Sequence, residues 1–124
     1  MTLKVFVLII TCVTLSALSQ MVMKIGMSQP QIQSALANGF KLGTVWDVAT
    51  NIYVVLGLGM YVLGAGLWLF VLSKVDVSMA YPFVGLGFVM TMLLGWLFLQ
   101  ETVGMIRISG TFLIVIGVIL VSRS

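Results

Sequence analysis

The sequence predicts an all-α integral membrane protein, a bundle of four transmembrane helices, and three observations carry that prediction. Hydrophobic residues make up 61% of the 124-residue chain, against roughly 45–50% in soluble globular domains. Only 7% of residues are charged, and the mean hydropathy is +1.25. Four long apolar segments follow one another, roughly Leu3 to Met23, Asn51 to Leu72, Met79 to Leu99 and Ile108 to Val121. A helix rising about 1.5 Å per residue needs about 20 residues to cross some 30 Å of hydrocarbon. The first three segments reach that length, and the fourth does once Val103 to Ile106 join it, which leaves Arg107 near one interface. The chain thus reads as a single membrane domain, 1–124, with spans at about 3–26, 50–73, 79–99 and 104–122.

The first segment has the lysine of a secretory leader at position 4, but its apolar part is long and no small-residue cleavage pattern precedes a soluble domain, so it is expected to be a span. Cys12, the only cysteine, lies inside it, which leaves no intrachain disulfide and no cysteine-rich metal site. Histidine is absent. Hydrolytic triads and zinc sites are thereby excluded, and no GxxxxGK[ST] motif is present to bind nucleotide phosphates. No cofactor or metal is expected.

Polar groups within a span are costly unless they face protein or water, so they mark the first places to seek function. Ser16, Gln20 and Lys24 recur every four residues and form a ridge about 12 Å long on one helix face, flanked by Ser19. Hydroxyl and amide groups suit sugar hydroxyls, and an ammonium suits phosphate. The alternative is structural: Gln20 bonds a neighbouring helix and Lys24 snorkels to the interface.

The connection from Ser28 to Thr50 is the one long loop. It contains PQIQSALANG, with Pro30 at a helix start and Gly39 at a stop. Ile32, Ala35, Leu36 and Phe40 can share one face, so a short interfacial helix is expected at 30–38, either gating a lipid entrance or simply covering the bundle.

The second span carries Gly57, Gly59, Gly64 and Gly66, two pairs seven residues apart, where helix backbones can approach closely. Tyr53, Tyr61 and Trp68 either line a cavity or form part of an interfacial aromatic belt. The third span opens with DVSMAYPFVGLGF. Asp76 or Ser78 is expected to cap it, and Pro82 falls where a missing N–H does least harm. Gly85 and Gly87 then allow the helix to bend, with Tyr81 at its mouth; the alternative is merely a well-started helix. In the fourth span, GTFLIVIG sets Gly110 and Gly117 seven residues apart with only Thr111 polar between them, a candidate dimer seam. Glu101 lies in the turn before it, where Gln100, Glu101 and Thr102 can cap the fourth helix.

The net charge of +3 does not point to nucleic acid, because the six basic residues are scattered among the span ends. Lys4, Lys74 and Arg123 fall at one end of the bundle; Lys24, Lys41 and Arg107 fall at the other. Orientation normally follows an excess of Lys and Arg on the cytoplasmic side, and this balance gives little instruction. Setting Lys24 aside as part of the first helix leans it toward both termini inside. An antiparallel pair and a partner-fixed topology both remain open.

The segment from Gly66 to Ser122, GLWLFVLSKVDVSMAYPFVGLGFVMTMLLGWLFLQETVGMIRISGTFLIVIGVILVS, resembles the second half of small four-helix members of the drug/metabolite transporter superfamily, and is most like the aminoarabinose-phosphoundecaprenol flippase subunits. The features that carry the resemblance are the WLxVLxxVxVxxAYP segment from Trp68 to Pro82, Glu101 at the turn between helices three and four, and the pattern Ser16, Gln20, Lys24. A second similarity is to the small multidrug resistance family, through the Ala-Tyr junction, the nearby GxG and the seven-spaced glycines of helix four. That family's exporters use a glutamate in the middle of helix one. Aligning the lysine end of the helix on Lys24 puts Ser16 at that place, so the carboxylate that would bind a cation is missing.

The flippase resemblance implies transport of a polyprenyl-phosphate-linked monosaccharide across a bacterial inner membrane, as in lipopolysaccharide modification, by a multi-pass transporter rather than an enzyme. The substrate-binding residues it then implies are Ser16, Ser19, Gln20, Lys24, Trp68, Tyr81 and Glu101. The implied partners are the sugar lipid, membrane lipids, and either a second copy or a related small subunit meeting at Gly110 and Gly117, with no nucleic acid. Two other readings stay open: a proton-coupled exporter of cations titrating Glu101 or Asp76, and an accessory subunit of a membrane glycosyltransferase or larger transporter.

Overall fold

The structure, a computed structural model, describes residues 2–124. Thr2 caps the first helix, α1 (Leu3–Met27), its hydroxyl accepting the Val5 N–H at 3.3 Å. The helix stops at Ser28, whose N–H and hydroxyl both donate to the Lys24 carbonyl, at 3.0 and 2.7 Å. Helix α2 (Pro30–Ala37) starts on a proline and ends before Gly39, whose φ of +100° reverses the chain as few other residues can.

A further short helix, α3 (Leu42–Thr50), follows and was not foreseen from the sequence. Thr44 organises its start, donating to the Gly39 carbonyl at 3.1 Å and accepting the Lys41 N–H at 3.2 Å. Ile32 is buried, as the shared apolar face requires, but Phe40 is 78% exposed and does not join it, because the turn at Gly39 directs it away.

Asn51 then caps α4 (Ile52–Leu72), its Oδ1 accepting the N–H groups of Tyr53 and Val54 at 3.0 and 3.3 Å. The third span is broken: α5 (Val77–Ala80), a 3₁₀ turn (Tyr81–Val84) and α6 (Gly85–Phe98). Pro82 sits in that turn, where its missing N–H interrupts the α-helical ladder. Helix α7 (Met105–Ser122) completes the bundle. Four stretches are long and apolar enough to cross a membrane: Leu3–Met27, Ile52–Leu72, Val77–Phe98 and Met105–Ser122.

Two caps differ from expectation. Asp76 occupies the position before α5 but contributes only its backbone carbonyl, which accepts from Met79 and Ala80. Glu101 does not cap α7, which begins four residues later behind Gly104. Its side chain lies instead against Gly95 of α6.

The helices run up and down. Helix α1 packs most extensively on α4, antiparallel, with Gly57 against Ser19 and Met23 and Gly64 against Leu15 and Cys12. A β-carbon at Gly57 would stand 3.0 Å from the Ser19 carbonyl oxygen, so glycine sets this spacing. The other pair, Gly59 and Gly66, faces outward, where a β-carbon would meet open space among the described residues. One α-helical face cannot hold all four, because a two-residue step turns by about 200°.

Buried residues cluster at the end of the bundle carrying both termini: Ile9, Cys12, Val13, Val71, Ala80, Phe83 and Val118. Phe6 meets Phe83 edge to face with ring centroids 6.2 Å apart. Towards the opposite end, where α1 finishes, Gly26 packs against the start of α4, and Ile32 and Val54 are buried.

Candidate functional site

The polar ridge of α1 spans two cavities. Ser16 lines one of about 270 Å³, shared with Cys12 and Val13, with Tyr61, Gly64 and Trp68 of α4, and with Tyr81, Val84 and Gly87 of the third span. Gln20 and Lys24 line another of about 420 Å³, built from the second half of α1, the end of α6, the connection after it and the start of α7. Gly87 belongs to the first and its neighbour Phe88 to the second, so a thin partition separates them along α6.

The larger cavity carries the charge. Lys24 enters from the last turn of α1, where the negative end of the helix dipole favours a cation. Arg107 enters from the first turn of α7 and donates to the Thr102 carbonyl at 3.1 Å, which ties it to the preceding connection. Glu101 enters from that connection. Gln100 takes a left-handed φ of 55°, unusual for a non-glycine residue, and the turn brings the Glu101 N–H back to the Gly95 carbonyl at 3.0 Å. The Glu101 side chain then lies over Gly95, where a β-carbon would stand 2.5 Å from Oε2.

Thr91 and Thr111 add hydroxyls. Thr111 donates to the Arg107 carbonyl at 2.8 Å and touches Met92 Sδ at 3.4 Å. The rest of the lining is apolar, including Met21, Phe88 and Leu99. Such a site offers two cations, one anion and several neutral hydrogen-bonding groups beside an apolar wall.

The candidates from the sequence thus fall into two groups. Gln20, Lys24 and Glu101 meet in the larger cavity; Ser16, Trp68 and Tyr81 meet in the smaller one. Ser19 requires a correction. It is fully buried beneath α4, its hydroxyl donates to the Ser16 carbonyl at 2.7 Å, and it lines neither cavity. Its place on α1, one residue before Gln20, turns it about 100° away from the ridge. Arg107 was read only as an interfacial anchor, and Thr91 was passed over. The available signal was the Arg107–Thr111 spacing, which puts both on one face of α7.

The sequence profile of the EamA-like transporter family matches residues 32–123. Among curated proteins, the chain is 41% identical over 71 residues to a Klebsiella pneumoniae (strain 342) protein named "Probable 4-amino-4-deoxy-L-arabinose-phosphoundecaprenol flippase subunit ArnE", covering 56% of this chain and 63% of that protein. The chain therefore spans less than two thirds of the length of that relative. Proteins named as probable ArnF subunits of the same flippase match more fully. The one from Proteus mirabilis (strain HI4320) is 34% identical over 88% of this chain and 84% of its own. The one from Photorhabdus laumondii (strain DSM 15139 / CIP 105565 / TT01) is 29% identical over 90% of each. No solved structure matches significantly. Four apolar helices around a lined polar cavity, together with a profile match running from α2 through α7, establish that the chain belongs to the EamA-like transporter family.

Proposed function

We propose that the protein is a flippase that moves a polyprenyl-phosphate-linked monosaccharide, of the aminoarabinose-phosphoundecaprenol kind, across the bacterial inner membrane. The observation that carries this reading is the larger cavity, where Lys24 and Arg107 stand beside Gln20, Thr91 and Thr111. The names of the relatives agree with it.

A sugar phosphate resists crossing hydrocarbon because its charge and hydroxyls lose their water. A cavity that supplies cations to the phosphate and hydrogen-bonding groups to the sugar replaces part of that hydration. The apolar wall leaves the prenyl tail in lipid. Lys24 and Arg107 hold the phosphate, Gln20 the sugar hydroxyls, and the second cavity, with Ser16, Trp68 and Tyr81, receives the head on its way past the partition at Gly87 and Phe88. The broken third span, hinged at the 3₁₀ turn Tyr81–Val84, lets that partition move. The chain performs transport in this reading, with no chemical step.

With Lys24 and Arg107 committed to the cavity, Lys41 is the remaining basic residue at that end, against Lys4, Lys74 and Arg123 at the other. That excess favours both termini in the cytoplasm, so the larger cavity faces the outer leaflet. Four helices shelter a head group thinly, and the relatives are named as subunits. A second copy or a related small subunit therefore packs on the outer face of α7, where a β-carbon at Gly110 or Gly117 meets open space among the described residues.

An exporter coupled to protons needs a titrating carboxylate in the cavity. Asp76 lines neither one, which leaves only Glu101 among the two residues considered for that role. The test is leaflet translocation of a polyprenyl-phosphate sugar in liposomes holding this protein, alone and with a candidate small partner subunit. Protein-dependent translocation is expected; drug-dependent proton release in place of lipid movement would favour the exporter.

A further inference from the structure

A carboxylate in a cavity meant for phosphate needs a reason. Glu101 is exposed there, it does not cap α7, and backbone geometry holds its main chain: the left-handed Gln100 and the return bond from Glu101 N–H to the Gly95 carbonyl lay the side chain across the bare Gly95. Lys24 and Arg107 line the same cavity. For a head group bearing only phosphate and hydroxyls, Glu101 contributes repulsion. For one bearing a phosphate and an ammonium, it completes the complement.

We propose that the larger cavity is a receptor for a zwitterionic head group, in which Lys24 and Arg107 hold the phosphate and Glu101 holds the protonated amine of an amino sugar, so that Glu101 determines specificity against neutral sugars. The proposal rests on the flippase reading and adds to it the residue that reads the amine. The ring oxygen and hydroxyls of a sugar hold its amine below the lysine value of about 10.4, but a primary amine there is still mostly protonated at neutral pH. A cavity of about 420 Å³ falls within the roughly 300–1,000 Å³ usual for small-molecule sites. Discrimination of this kind is strong, because a lipid lacking the ammonium leaves the carboxylate unpaired beside the phosphate. Charge-assisted hydrogen bonding sets its scale at about tenfold or more.

The test compares two lipid probes in liposomes holding the full chain, with its partner subunit where one is required. One is undecaprenyl phosphate carrying a 4-amino-4-deoxypentose; the other is the same lipid with that amine N-formylated and hence neutral. Wild-type protein is expected to translocate the free amine at least about tenfold faster. Glu101→Gln, isosteric and at an exposed position, is expected to bring the ratio close to one while the formylated lipid moves as fast as before or faster. Equal wild-type rates for the two lipids, or a preference that survives in Glu101→Gln, would overturn this proposal and leave the flippase reading standing. Wild-type protein that moves neither lipid would overturn the flippase reading and this proposal with it.

Discussion

Glu101 lies across Gly95, so close that a β-carbon at residue 95 would stand 2.5 Å from Oε2 and 3.0 Å from Cδ. The glycine makes the seat on which rests the only carboxylate among the described residues that line the larger cavity. Because the obstructing atoms belong to the far end of a flexible side chain, the helix tolerates a methyl group there by turning the carboxylate away. Gly95→Ala is therefore expected to change thermal stability by no more than about 1 kcal/mol while slowing translocation of an amino-sugar lipid severalfold. Unchanged transport would show that the position of the carboxylate does not matter.

Arg107 is the second cation, held toward the connection by its bond to the Thr102 carbonyl. Removing it takes away one charge-assisted contact to phosphate, worth about 1.5–3 kcal/mol. Arg107→Ala is expected to raise the lipid concentration for half-maximal transport by roughly ten- to a hundredfold, whereas Arg123→Ala, at the far end of α7, is expected to leave it unchanged.

The two glycine pairs of α4 predict opposite signs for one substitution. Alanine in a helix interior is ordinarily favoured over glycine by about 0.5–1 kcal/mol, and Gly59, with open space beside it, should follow that rule. At Gly57 the new β-carbon meets the backbone of α1, 3.0 Å from the Ser19 carbonyl oxygen and 3.2 Å from the Met23 nitrogen. Gly57→Ala is expected to destabilise the bundle by about 1–3 kcal/mol. Thermal unfolding of the two variants in detergent separates them.

That contrast also marks what the sequence discloses. Four spans were legible because length and hydropathy alone decide them. A bend in the third span is expected from Gly85 and Gly87, with Pro82 where it does least harm; the break instead falls at the 3₁₀ turn that holds Pro82, because a residue without an N–H cannot continue the helical ladder, and both glycines lie in regular helix. Which glycines face a neighbour was not legible, since a seven-residue repeat gives a shared face but not what that face meets. Helix α3 escaped because Leu42–Thr50 adjoins Asn51 with no glycine or proline between them, and a capping asparagine reads as one more polar loop residue. Lys24 and Gln20 stood out as polar groups in an apolar helix. Arg107, at a span end, looked like every other interfacial cation until α7 was seen to bring it beside Glu101's connection.

Outward-facing Gly110 and Gly117 on α7 predict where a partner sits. Gly110→Leu combined with Gly117→Leu is expected to lower the dimer fraction, with a homologous or related subunit, without unfolding the chain, because a β-carbon at either position meets open space among the described residues. Single-molecule photobleaching in supported bilayers counts the copies. A dimer fraction equal to that of the wild type would move the seam elsewhere.

The most direct test of the account is the rate at which Lys24→Ala translocates a polyprenyl-phosphate sugar in liposomes, measured beside wild-type protein and Lys74→Ala, with each variant shown to be folded. The account predicts transport by the wild type and by Lys74→Ala, and its loss in Lys24→Ala, because the cation that meets the phosphate at the end of α1 is gone. Wild-type rates in Lys24→Ala would contradict it, removing α1 as the wall against which the lipid's phosphate crosses.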